Sequence, residues 1–137
     1  MRKRLLLIVA VIVMAFAGMS QTIPTKDEFI SACDSLGIYH PYVVYAQARL
    51  ESGNFTSAHY RNRNNCLGIY DSKRHCYAYF DSWIECLVAY RDRVQYKWPY
   101  VECTDEEYLK WVCNMGYAAN PVTYEQHVLK ILRQVKK

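Results

Sequence analysis

The stretch Gln47-Ala48-Arg49-Leu50-Glu51-Ser52-Gly53-Asn54-Phe55 sets a carboxylic acid in what reads as the last turn of a helix, just ahead of a glycine. Upstream, Pro41 suits a first helical turn. Val43, Val44, Ala46, Ala48 and Leu50 carry the helix forward to a stop at Gly53. Glu51 follows Val44 by seven residues and Ala48 by three, so it shares their side of the helix. A carboxylate on a largely apolar side is desolvated, which raises its pKa. The negative end of the helix dipole at the same turn acts in the same direction. Both effects favour a carboxylic acid that keeps its proton near neutral pH, the form needed to protonate a leaving oxygen.

Working outward, four segments open with a Ser or Thr followed three residues later by Glu or Gln, the capping-box pattern. They are Thr25 with Glu28, Ser82 with Glu85, Thr104 with Glu107, and Thr123 with Gln126. Each precedes apolar residues at helical spacing: Phe29, Ile30 and Cys33; Ile84, Leu87 and Val88; Leu109, Val112 and Cys113; Val128, Ile131, Leu132 and Val135. Gly37 and Gly116 stand where helix C-termini are expected. Between the helices, Leu67-Gly68-Ile69-Tyr70 and Cys76-Tyr77-Ala78-Tyr79-Phe80 are β-prone runs separated by Asp71 to His75, which predicts a short hairpin. No repeat, low-complexity tract or linker divides the chain. The expected fold class is α+β, mainly α: one helical domain with one short β-hairpin and a cleft beside it.

Arg2, Lys3 and Arg4, the uncharged apolar run Leu5 to Met19, and the small residues Ala15, Ala17, Gly18 and Ser20 predict a signal peptide over residues 1–20. A domain over residues 21–137 then follows, with a periplasmic or secreted location. An uncleaved anchor is the weaker alternative, since a spanning helix needs about 20 apolar residues. The 17 Lys and Arg against 13 Asp and Glu give a net charge of +4. The three basic residues of the signal segment account for most of it, leaving 14 against 13. A near-neutral domain lacks the clustered basic face that nucleic acid requires. All six cysteines (Cys33, Cys66, Cys76, Cys86, Cys103 and Cys113) lie beyond the signal segment. Export and an even count predict disulfides. Cys33, Cys86 and Cys113 also occupy apolar helical positions, where a buried free thiol is an ordinary core residue. No C-x-x-C pair and no suitably spaced His points to zinc, so no metal is expected.

Three motifs in order now carry a resemblance. Gln47 to Phe55, then Asn64-Asn65-Cys66-Leu67-Gly68-Ile69-Tyr70, then Gly116-Tyr117-Ala118-Ala119-Asn120-Pro121 with Tyr124 together resemble the glucosaminidase family of peptidoglycan hydrolases. The likeness spans roughly residues 27 to 133. It implies a lysozyme-like fold, cleavage of β-1,4 bonds in cell-wall glycan, glycan strands as the partner of a monomer, and no cofactor. By position, Glu51 matches the family's general acid and Tyr117 the tyrosine close to the cleaved bond. Asn64 and Asn65 match the pair leading into the hairpin, where Asn side chains bond local backbone.

Phe55, Asn65, Tyr70, Tyr79 and Tyr124 are the substrate-binding candidates, the aromatic ones because their apolar faces stack on sugar rings. For each aromatic, plain core packing is the competing explanation. Family members with a longer hairpin carry there a Glu that holds the attacking water. This hairpin is short, with Asp71 and Asp81 as its neighbouring acids. Asp71 is the candidate second catalytic carboxylate, against an Asx-turn as the structural alternative; Asp81 and Glu85 read as helix-start residues. The N-acetyl group of the sugar is a further source of assistance. A lytic transglycosylase and a non-catalytic wall-binding module of the same fold are the alternative functions. Asn54-Phe55-Thr56 fits the N-glycosylation pattern by chance, since the family is bacterial.

Overall fold

The structure, a computed structural model, describes residues 23–137. The expected signal peptide lies outside the described residues. The elements in order are α1 (Lys26–Leu36), α2 (Pro41–Glu51), α3 (Ala58–Arg63), β1 (Tyr70–Asp71), β2 (Cys76–Tyr77), α4 (Trp83–Arg93), a 3-10 turn (Gln95–Lys97), α5 (Asp105–Asn114) and α6 (Pro121–Val135). The mainly helical α+β reading is therefore correct. The hairpin is a two-stranded antiparallel sheet with Tyr70 opposite Tyr77 and Asp71 opposite Cys76.

Helix α2 runs through the middle of the domain. Its Val44 and Ala48 join a core with Phe29 and Cys33 of α1 and with Cys86, Leu87 and Tyr90 of α4. Its Val43 and Ala46 join a second core with Leu109 and Val112 of α5 and with Val128 and Leu132 of α6. A helix enclosed on both sides has no wide polar face, which is why small residues and one buried amide, Gln47, fill it.

Two of the four expected capping boxes form in full, at Thr25–Glu28 and Thr104–Glu107. At α4, Ser82 accepts from the Glu85 N–H, but the Glu85 carboxylate turns to the Asp81 N–H at 2.9 Å. Helix α6 starts earlier than expected. Asn120 is its N-cap and Pro121 its first residue, so Thr123 lies inside the first turn.

The expectation of disulfides is not met: all six cysteines are free thiols. Cys33 packs in the first core and Cys113 in the second. Burial pushes the thiol of Cys33 up to about 12 and that of Cys113 up to about 11, so both behave as unreactive core groups. Cys66 and Cys86 lie side by side, as thiols. A melting temperature that is the same with and without reducing agent is the expected result. A fall under reductant would instead locate a bridge.

Candidate active site

Glu51 ends α2, and the turn after it explains the residues that follow. Ser52 is fully buried; its hydroxyl donates to the Ala48 carbonyl and accepts from the Phe55 N–H at 2.8 Å. Gly53, Asn54 and Phe55 all adopt left-handed backbone, with φ of 56, 55 and 63. Arg49 steadies the turn by donating to the Asn54 side-chain oxygen at 2.9 Å. The His59 ring bonds the Glu51 carbonyl at 2.8 Å, satisfying a helix-end acceptor.

This turn sends Phe55 back into the core, against the expectation that it lines the cleft. Phe55 is 3 % exposed and packs on Tyr60, Tyr45 and Phe29 at ring distances of 5.3, 6.2 and 6.3 Å. Asn65, also proposed from sequence for substrate, is fully buried. Its amide donates to the Ile69 and Ala78 carbonyls and its oxygen accepts from the Ile69 N–H. Those bonds hold the two hairpin arms together and leave Asn65 no free donor for a sugar. Asn64 does similar work, donating to the Phe80 carbonyl at 2.9 Å.

A cleft of about 530 Å³ opens over the acid, lined by Glu51, Gly68, Ile69, Tyr70, Tyr77, Arg93, Val94, Tyr117, Ala118 and Ala119. Thus Glu51, Tyr70 and Tyr117, three residues nominated from sequence, come together on one surface. Gly68 covers the carboxyl from the hairpin side. A Cβ built on it would stand 2.6 Å from Glu51 Oε2, and its φ of +65 is a left-handed one. The glycine is thus required twice, for its backbone angle and for its missing side chain. Gly68→Ala is expected to cost about 1–2 kcal/mol of stability through the left-handed angle. Displacing the carboxyl should also lower turnover by about 10²-fold, which melting curves and wall-digestion rates would separate.

Tyr117 is held by its hydroxyl, which donates to the Leu67 carbonyl next to Gly68. Burial, then the neighbouring Tyr124 and Glu51, keep this phenol well above its usual pKa and neutral. Tyr124 neither packs passively nor lines the cleft. Its hydroxyl accepts from the Gln47 amide at 3.1 Å, which leaves its proton to favour the ionised form of the neighbouring Glu51 carboxyl.

The Gln47–Tyr124 bond is the end of a buried chain whose direction is set far from the acid. Gln95 accepts the Tyr39 N–H on its amide oxygen, so its NH₂ must face the Tyr39 carbonyl and the Tyr108 hydroxyl. Tyr108, already an acceptor, then donates to Tyr90 at 2.9 Å, and Tyr90 donates to the Gln47 oxygen at 2.8 Å. Gln47 is left with its NH₂ for Tyr124, and Tyr124 with its proton for Glu51. Each donor follows from the one before it. The chain explains how Gln47 and Gln95 can be buried without loss.

Burial raises the pKa of Glu51, and the hydrogen bond from Tyr124 pulls part of it back. The net direction is upward, as the apolar setting of the helix predicts.

Asp71 is not among the residues lining the cleft. Its Oδ1 accepts from the Lys73 and Arg74 N–H groups at 3.0 and 3.2 Å, and its Oδ2 faces the Arg74 guanidinium at 3.8 Å. The Asx-turn explanation thus accounts for this carboxylate. Tyr79 is exposed and stands outside the cleft lining. Sequence reasoning missed Tyr77, which stacks on His59 at 4.8 Å, and Arg93. The usable signal was the hairpin register, because Tyr77 stands directly opposite Tyr70, the residue already nominated for the cleft.

Among the described residues no group of His, Cys, Asp and Glu is arranged to hold a metal ion. The family model described as Glucosaminidase, mannosyl-glycoprotein endo-beta-N-acetylglucosaminidase, matches residues 26–137. No curated protein and no solved structure matches the chain.

Proposed function

The chain belongs to the glucosaminidase family, and from that membership we propose that it hydrolyses the β-1,4 bond between N-acetylglucosamine and N-acetylmuramic acid in cell-wall glycan. Family membership supports a peptidoglycan-hydrolase type of function. The observation that carries the finer reading is Glu51, a half-buried carboxyl with a raised pKa at the floor of the cleft. In this reading Glu51 gives its proton to the leaving oxygen. Tyr117, fixed by its bond to the Leu67 carbonyl, shapes the wall beside the reacting sugar. Tyr70 and Tyr77 offer ring faces for neighbouring sugars. The signal segment would export a monomeric enzyme to the wall.

Activity is therefore expected to fall as pH rises through the pKa of Glu51. Tyr124→Phe removes a hydrogen bond that favours the ionised form, so the alkaline limb should move to higher pH. A pH–rate profile on purified wall checks the direction. A shift to lower pH would contradict the place of Tyr124 in the site.

A second reading rests on one observation. Among the described residues lining the cleft, Glu51 is the one carboxylate. A second acid is needed to direct water in a two-carboxylate hydrolysis. It is not needed where a group of the substrate itself attacks, as the N-acetyl oxygen would in assisted hydrolysis or a muramic hydroxyl in lytic transglycosylation. Anhydro-muramic ends in the products would select the transglycosylase.

A further inference from the structure

The end of α2 opposite Glu51 holds a second constellation of reactive side chains. His40 is the residue before Pro41, so roughly 16 Å of helix separates it from Glu51. Its Nδ1 lies 2.8 Å from Asp105 Oδ1, and its Nε2 lies 3.6 Å from the sulfur of Cys103. Burial works against ionisation of Asp105, but the bonds from the Lys136 ammonium and from His40 outweigh it and hold the carboxyl below its usual pKa. An ionised Asp105 accepts the Nδ1–H of His40. In the neutral ring that leaves Nε2 as a bare acceptor facing the thiol. The ring is fixed further by stacking on Tyr108 at 4.5 Å. Nucleophile, base and the group that orients the base thus stand in line.

The thiol is reachable. It opens on a pocket of about 340 Å³ lined by Tyr39, His40, Trp98, Tyr100, Val101, Glu102 and Cys103. His40 and Tyr100 both adopt left-handed backbone, with φ of 52 and 56. Such strained non-glycine residues persist where surrounding structure over-determines them. Among the other cysteines, Cys33, Cys66, Cys86 and Cys113 are buried and Cys76 is partly exposed.

We propose that Cys103, His40 and Asp105 form a second, thiol-based acyl-transfer site on this chain, acting on small acyl compounds with an aromatic or otherwise planar flank. The walls contributed by Tyr39, Trp98 and Tyr100 suit such a flank, and Glu102 at the pocket disfavours an anionic one. Partial burial, then the carboxylates of Glu107 and Asp105, raise the Cys103 thiol above its ordinary value. The resting group is therefore the thiol, and His40 must take its proton as attack proceeds. The sulfur lone pair forms the S–C bond to the acyl carbon while the carbonyl π pair moves to oxygen. Collapse breaks the bond to the leaving nitrogen or oxygen, which takes the proton from His40. Water then attacks the thioester, gives its proton to His40, and the sulfur recovers it. One water is consumed, and an acid and an amine or alcohol are released.

The test uses the full chain with p-nitrophenyl acetate and, separately, iodoacetamide, with adducts mapped by mass spectrometry. The expected result is an acetyl adduct on Cys103, release of nitrophenolate that Cys103→Ala abolishes, and alkylation of Cys103 that His40→Gln slows by about tenfold or more. Alkylation of Cys76 in the same samples should not change. If His40→Gln fails to fold, Asp105→Asn is read instead, with the same slowing expected. Cys103→Ala should digest wall at the wild-type rate and Glu51→Gln should keep the acyl transfer, so the two sites fail separately. Alkylation of Cys103 that is indifferent to both His40 and Asp105, or nitrophenolate release that survives Cys103→Ala, would overturn the proposal.

Discussion

Replacing Glu51 by Gln is expected to slow the digestion of purified peptidoglycan by about 10²–10⁴-fold, the contribution of a positioned general acid. The same change should leave the fold intact and, near neutral pH, slightly more stable. Folding raises the pKa of Glu51 above its ordinary 4.5. Between that value and the folded pKa the native state binds the extra proton, so stability falls as pH rises through this window. Gln carries no such penalty and keeps an oxygen for the Tyr124 hydroxyl. Melting curves of both forms should therefore agree below about pH 4 and separate above it, with the variant higher. A variant that melts well below wild type at pH 7 would show that the carboxylate supports the fold, and its loss of activity would no longer point to chemistry.

The second large effect concerns the chain that ends on Glu51. Gln47→Leu removes the acceptor of Tyr90 and the donor of Tyr124 together, at a fully buried position. A buried polar group left unsatisfied costs about 1–3 kcal/mol, and here two are orphaned. The expected result is a loss of stability of about 2–5 kcal/mol, read from denaturant midpoints at constant slope. Tyr90→Phe alone orphans only the Gln47 oxygen and, on the other side, frees Tyr108. The double variant should cost less than the sum of the singles, because the second change removes a partner already missing. Strict additivity would mean that these side chains do not act as one network.

How far the sequence could be read depended on how local each feature is. Thr25 and Thr104 cap their helices through residues three positions away, and both were legible. The start of α6 was not: Asn120-Pro121 is also a sound N-cap and first turn, and it displaced the Thr123 signal. Helix α3 has six residues and one buried side chain, too few for a period to show. Glu51 was legible because its desolvation follows from its own helix. The partner that tunes it was not, since Tyr124 is set by Gln47 across 77 residues of chain. Phe55 was misplaced because three successive left-handed residues reverse the chain after the helix, and Gly53 and Asn54 announce only the first two of them in the sequence. The thiol, imidazole and carboxylate of Cys103, His40 and Asp105 come from two loops and a helix start, with Cys103 and His40 63 positions apart in the sequence. No short motif marks them.

A non-catalytic module of the same fold would bind wall without cutting it, and a transglycosylase would leave anhydro-muramic ends. Mass spectrometry of the muropeptides released from purified wall by residues 21–137, with Glu51→Gln alongside, separates all of these. Fragments with reducing N-acetylglucosamine ends, present with wild type and absent with the variant, are the predicted result. Equal digestion by the variant, or no release by wild type, would contradict the assignment of Glu51 as the acid of a wall-cleaving glucosaminidase.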